Sequence, residues 1–134
     1  MSVYSGLLWS EGKWSEAESV GRYVLIERER VLGPSHPDTL TSVSNLAAEL
    51  HYLGRHDEEE KLDRRALEGR VRVRGPDHPD TLASVQSLAI TLSNLNRYTE
   101  AEPLDRRALE GRERVLGPDH PDTLVSVQNL AITL

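Results

Sequence analysis

Cysteine is absent from the 134 residues, so disulfides and thiolate metal sites are excluded, while the redox compartment stays open. Phenylalanine is absent too, and apolar residues make up only 37%, so a core has to be built from leucine, valine, isoleucine and alanine. No run approaches the roughly 18 apolar residues of a membrane-spanning helix. The opening MSVYSGLLWSEGKW lacks both a basic leading region and a long apolar stretch, so no signal peptide is expected and the chain is read as cytoplasmic. Positive charge is in short supply: 16 Lys and Arg face 22 Asp and Glu, a net charge of −6 that argues against nucleic acid or an anionic membrane as the main partner. No glycine-rich phosphate loop occurs, and no serine or histidine stands out from its surroundings as a nucleophile or base, so neither catalysis nor a cofactor is expected.

What the chain does have is repetition. GPSHPDTL at 33–40 returns as GPDHPDTL at 75–82 and again at 117–124, a step of 42 residues each time. LDRRALEGR at 62–70 recurs unchanged at 104–112, and TLASVQSLAITL at 81–92 recurs as TLVSVQNLAITL at 123–134. The first copy is more diverged, yet Trp14, His56 and Tyr98 share one place in the frame, as do Glu18, Glu60 and Glu102. A period of this length means a solenoid or propeller assembled from one supersecondary unit. The chain divides into a partial repeat (1–32), two full repeats (33–74 and 75–116) and a half repeat (117–134), together a single array over 1–134.

The unit is a helical hairpin. Leu40, Val43, Leu46, Ala47 and Leu50 form a helical stripe, repeated as Leu82, Val85, Leu88, Ala89, Leu92 and as Leu124, Val127, Leu130, Ala131, Leu134. Pro37, Pro79 and Pro121 suit the first helical position, where a missing N–H costs nothing, and the aspartate after each favours the helix dipole. This helix A is expected to end near Leu53 and Leu95, with Gly54 and Asn96 in the left-handed conformation that closes a helix. Helix B then opens, on this reading, with a capping box in every copy: Ser15 with Glu18, Asp57 with Glu60, Thr99 with Glu102. It runs to Val31, Val73 and Val115, where Gly33, Gly75 and Gly117 stop it, each followed by proline. Gly69 and Gly111 fall in the middle of helix B, at a cost of about 1 kcal/mol each against alanine, which a close helix–helix approach would explain.

His36, His78 and His120 lie in the connectors beside acids such as Asp77 and Asp80. They are read as structural loop histidines and no metal site is assigned, because ligands must converge on one ion whereas equivalent residues of a solenoid march apart. Helix A carries almost no charge, and helix B carries most of it, including Asp63, Arg64, Arg65, Glu68, Arg70, Arg72 and Arg74. Acids interleave the arginines and no aromatic sits among them for base stacking, so the ridge is read as a solvated face with pairs such as Glu68 and Arg72. Nucleic-acid binding ranks below the other readings for that reason.

The paired helices with NLAxxL in helix A, and the phrase EAEPLDRRALEGRERVLGPDHPDT in helix B and its connector, resemble tetratricopeptide repeats of the long, kinesin-light-chain-like type across essentially the whole chain. The resemblance implies an all-α fold, a right-handed superhelical solenoid of antiparallel helix hairpins, whose concave groove is lined by helix A and holds a peptide or protein segment. Two departures from the family pattern stand out: valine (Val43, Val85, Val127) where helix A usually has a bulky aromatic, and Glu59 where helix B usually has the alanine kept at Ala17 and Ala101. On the family's mapping the groove residues are Thr41, Ser44, Asn45, Ala48, His51 and Tyr52, then Ala83, Gln86, Ser87, Ile90, Ser93 and Asn94, then Val125, Gln128, Asn129 and Ile132. Segments 75–92 and 117–134 differ only at Ala83 against Val125 and Ser87 against Asn129, four apart and therefore on one helical face, the face assigned to the groove.

The expected function is a protein-interaction scaffold or sensing module, in a signalling or assembly setting, with a protein or peptide as partner. The alternative is a structural spacer that self-associates end to end. The array finishes inside helix A, so some of Val127, Leu130, Ala131 and Leu134 should be bare, and a homo-oligomer through that uncapped helix would cover them. One test follows from the missing cations. Repeats of this kind that hold acidic C-terminal chaperone tails do so with basic groove residues, and none of the groove positions here is Lys or Arg. Calorimetry with such a peptide should therefore show no binding heat, and a micromolar dissociation constant would overturn the groove assignment.

Overall fold

In the computed structural model residues 11–133 are described, and they form six α-helices: α1 (Glu11–Leu32), α2 (Pro37–Tyr52), α3 (His56–Arg74), α4 (Pro79–Asn94), α5 (Tyr98–Leu116) and α6 (Pro121–Thr133). The partial helix expected over SVYSGLLW, and Leu134, lie outside the described residues. Helices α2, α4 and α6 are the three copies of helix A, and α1, α3 and α5 are the copies of helix B. Each helix packs on its neighbours in the chain, and α4 also touches α6, which is the layout of stacked hairpins.

The repeated loop is both stop and start signal. Helix B runs one residue further than its sequence suggests, to Leu32, Arg74 and Leu116, and then meets glycines at φ +92°, +89° and +93° (Gly33, Gly75, Gly117). Three residues on, the histidine caps the next helix. His36 and His78 are extended, and with His120 they accept a hydrogen bond at Nδ1 from the amide of Asp38, Asp80 and Asp122, at 3.1, 3.0 and 3.1 Å. Thr39, Thr81 and Thr123, fully buried, donate to the carbonyls of Gly33, Gly75 and Gly117 at 2.8 Å in every copy. The connector histidines thus satisfy helix ends that would otherwise be orphaned.

The other turn departs from its sequence reading. Gly54 (φ +74°) and Asn96 (φ +62°) close helix A as expected, but the amides of Arg55 and Arg97 bond back to Leu50 and Leu92 at 2.9 and 2.8 Å, the six-to-one bond of a Schellman motif. Those arginines are at once the last residue of one motif and the N-cap of the next helix. Helix B begins at His56 and Tyr98, so Asp57 and Thr99 are already helical and no side chain caps the start of either helix. Ser15 likewise lies inside α1. The capping boxes therefore do not form. Glu18, Glu60 and Glu102 pair with arginines instead: Glu18 with Arg22 and Arg55, Glu60 with Arg64 and Arg97, Glu102 with Arg106.

The apolar stripes of α2 and α4 are the core: Leu40, Val43, Leu46, Ala47 and Leu50, and Leu82, Val85, Leu88, Ala89 and Leu92, are each no more than 3% exposed. Full burial of such a leucine or valine is worth about 1.5–3 kcal/mol. Leu25 and Ala66 close one cluster, with Leu62 beside it; Ala101 closes the other, with Leu67 and Leu104. The stripe of α6 is less covered: Leu124 is 52% and Val127 47% exposed.

Gly69 and Gly111 are buried because α3 and α5 press their backbones onto Leu40 and Leu82, as a close helix–helix approach requires. A Cβ at Gly111 would stand 2.5 Å from Leu82 Cδ2 and 3.0 Å from Cδ1. At the same step of the first copy Glu27 meets Arg30. Gly111→Ala gains about 1 kcal/mol of helix propensity, and overpacking costs about 1–3 kcal/mol, so the variant should be less stable by up to about 2 kcal/mol. Urea unfolding checks this, and Gly111→Ala combined with Leu82→Val should be less destabilised than the sum of the two single variants.

Candidate functional site

Two clefts follow one another along the face formed by α2, α4 and α6. The larger, about 230 Å³, lies between Ser44, Ala47, Ala48, His51 and Tyr52 of α2, Glu59, Asp63 and Ala66 of α3, and Ser84, Ser87 and Ile90 of α4. The second, about 140 Å³, lies between Ile90, Ser93 and Asn94 of α4, Asp105 of α5, and Asn129 and Ile132 of α6. Ile90, 41% exposed, is the ridge between them. At one end of the larger cleft Trp14 stacks on Tyr52, ring centroids 4.3 Å apart and nearly parallel.

The cleft floors are acidic and buried, because helix B projects a carboxylate beneath the next helix A. Thr91 Oγ1 lies 2.6 Å from Asp63 Oδ2, 3.1 Å from Glu59 Oε2 and 3.1 Å from the Ser87 carbonyl, more acceptors than its single proton can serve. Burial pushes the Asp63 carboxyl up to about 6 despite the Thr91 hydrogen bond, with Glu59 adding to the rise. The next copy is better satisfied. Asp105 accepts from Gln86 Nε2 at 2.7 Å and from Thr133 Oγ1 at 2.9 Å; burial raises its carboxyl and these two bonds oppose the rise. Gln86 Oε1 in turn accepts from Ser126 at 2.8 Å and from Arg112 at 3.3 Å. In the first copy the carboxylate changes sides. Gly21 stands where Asp63 and Asp105 stand, and Glu49 stands where Thr91 and Thr133 do; its Oε1 occupies the space 2.5 Å from where a Gly21 side chain would begin. That oxygen is buried without a partner, and burial, with Glu18 nearby, pushes the Glu49 carboxyl up to about 7.

Ten of the sixteen groove positions named from the sequence line these two clefts: Ser44, Ala48, His51, Tyr52, Ser87, Ile90, Ser93, Asn94, Asn129 and Ile132. Ser87 and Asn129, which differ between otherwise matching repeats, occupy successive clefts. Ala83, Val125 and Gln128 are exposed, Asn45 lines a separate hollow against α1, and Thr41 lies at the far end of α2 near Arg70 and Arg74. Gln86 departs from its assignment: it is 4% exposed, and its amide is consumed by Asp105, Arg112 and Ser126 of the following helices. Sequence reasoning on helix A alone also missed the part helix B plays, through Glu59 and Asp63. The signal for Glu59 was its departure from the alanine of the other copies.

The pattern of the tetratricopeptide repeat matches the chain three times in succession, over residues 5–38, 39–80 and 81–122. No protein of curated function matches the sequence. Among solved structures, a candidate kinesin light chain of Podosopora anserina with nearly identical TPR-like repeats is similar at 25% identity and TM-score 0.85, over 91% of this chain and 58% of that one. A point variant of the same protein gives the same identity and TM-score, over 91% of this chain and 57% of that one. BtubC (BKLC) from P. vanneervenii is similar at 25% identity and TM-score 0.80, over 92% of this chain and 48% of that one. The chain thus spans about half the length of the structures it resembles. Among the described residues no helix is long and apolar enough to cross a membrane. With three matched repeats in succession and a stack of antiparallel hairpins to carry them, the chain belongs to the tetratricopeptide repeat family.

Proposed function

We propose that the chain is a cytoplasmic protein-interaction scaffold or sensing module that holds a peptide or protein segment along the face of α2, α4 and α6. Tetratricopeptide repeats in general mediate protein–protein interactions, which supports the class of partner. The observation that carries the finer reading is the pair of clefts on one line, joined at Ile90 and deep enough for side chains. An extended chain rises about 3.3 Å per residue, so one segment could occupy both with alternate side chains. The buried carboxylates of Glu59, Asp63 and Asp105 favour a segment that offers hydrogen-bond donors or cationic side chains. No catalytic role is proposed.

Selection from a random peptide display library tests this reading. Recovered peptides should be enriched in lysine and arginine. Ile90→Arg should weaken them by at least about tenfold, a loss of about 1.4 kcal/mol. Because Ile90 is partly exposed, its melting point should stay within a few degrees of the parent. Peptides that bind the variant equally well would refute the proposed face.

The exposed stripe of α6 favours a second reading, an assembly element that pairs through this helix. Leu124 and Val127 are about half exposed, whereas the equivalent Leu40, Val43, Leu82 and Val85 are almost wholly covered. Sedimentation over a wide concentration range should then show self-association that Val127→Glu abolishes. A strict monomer at high concentration would defeat this reading and leave the first untouched.

A further inference from the structure

We propose that His51, His56 and Glu59 form a site for one divalent cation of the zinc type, at the acidic end of the larger cleft. The inference goes beyond the peptide-binding reading and does not depend on it. His51 is the second-last residue of α2, and His56 opens α3 with Glu59 three residues on, so two ligands share one helical face and the third reaches over from the preceding helix. One ligand atom from each of the three lies within 4.8 Å of the other two. Glu59 already bridges the rings, with Oε1 2.8 Å from His56 Nδ1 and Oε2 3.5 Å from His51 Nδ1. Two imidazoles and one carboxylate are the mixed nitrogen and oxygen set that zinc accepts at about 2.0–2.2 Å, with a fourth position open. Atoms that each stand about 2 Å from one tetrahedral ion are about 3.3 Å apart, so binding requires these side chains to readjust from separations that now reach at most 4.8 Å.

Three independent features point to a cation here. His51 Nδ1 is buried and makes no hydrogen bond, an unused donor atom facing the carboxylate. Glu59 and Asp63 are buried side by side around one threonine hydroxyl, and among the described residues neither has a lysine or arginine at ion-pair distance. A buried carboxylate pair of this kind calls for positive charge. Lastly, the ligand set belongs to one repeat. The equivalent positions of the next copy are Ser93, Tyr98 and Ala101, so three ligand-bearing residues arise together where the repeat pattern otherwise supplies none. Asp63, by contrast, recurs as Asp105, so it is Glu59 beside it that sets this repeat apart.

The test is zinc chloride titrated into the tag-free, chelator-treated chain by calorimetry, beside the variant His51→Ser, His56→Tyr, Glu59→Ala. That variant installs the residues of the neighbouring repeat, so its hairpin has a folded precedent in the same molecule, and circular dichroism verifies that it folds. It also keeps His36, His78 and His120, which measure background binding. The parent should bind one zinc per chain with micromolar affinity, and the single change Glu59→Ala should weaken it by at least about tenfold, since even outer-sphere partners of a metal cost that much. Cobalt(II) should give the visible absorption of a four-coordinate site in the parent alone. Equal zinc affinity and stoichiometry in parent and triple variant, or no binding by either, would overturn the proposal and leave Glu59 hydrogen-bonded to His56 beside a His51 Nδ1 without a partner.

Discussion

A guanidinium reaching from helix B into the next helix A ties each hairpin to the one that follows. Arg28, Arg70 and Arg112 place Nη1 at 2.7, 2.7 and 2.8 Å from the hydroxyls of Ser42, Ser84 and Ser126. Burial lowers the pKa of Arg70 and Arg112, so these are charges held against a desolvation cost, and the hydroxyl and backbone acceptors that receive them have to be in register. Above the bond, Asp63 and Asp105 meet Thr91 and Thr133. Together the two contacts set how far successive A helices stand apart. That distance decides the depth of the clefts and puts carboxylates beside the buried alanines of the larger one.

The fold was legible because the chain states it three times. A proline at the first helical position, a glycine that can turn left-handed, and a leucine–valine stripe are local signals, and the contacts they specify are local or between adjacent helices. The capping boxes fail to form for an equally local reason. Arg55 and Arg97 follow the left-handed residue so closely that one residue both ends a Schellman motif and starts a helix, leaving no room for Asp57 or Thr99 to cap. The candidate site was half legible. The groove mapping implied by the family resemblance includes Ile90 and Ser87, which line the clefts, but it does not show that Gln86, on nearly the same face, is covered by α5 and α6. His51 and Glu59 are drawn together by two helices across a turn, and no single-helix periodicity contains that pairing.

The charged ridge of helix B gains a defined role. Arg55 binds Glu18 and Arg97 binds Glu60, each at 2.6 Å and each spanning one repeat to the next, while Arg114 reaches Asp77 and Arg65 reaches Glu29. Most of these pairs are solvent-exposed, so each contributes little to stability. Their regularity matters more than their strength: these arginines are engaged with carboxylates of the neighbouring hairpin rather than forming a free cationic track.

The exchange of Glu49 and Gly21 for the threonine and aspartate of later copies shows what is inherited together. The two halves of that contact sit in different hairpins, and so do Arg70 with Ser84 and Asp63 with Thr91. Natural duplication, or a graft made in the laboratory, that cuts at the Gly-Pro loops separates each residue from its mate. A segment cut at the turns of Gly54 and Asn96 carries both members of the Arg70–Ser84 and Asp63–Thr91 bonds with it. The transferable module of this array is therefore the seam between hairpins, a helix B with the helix A that follows.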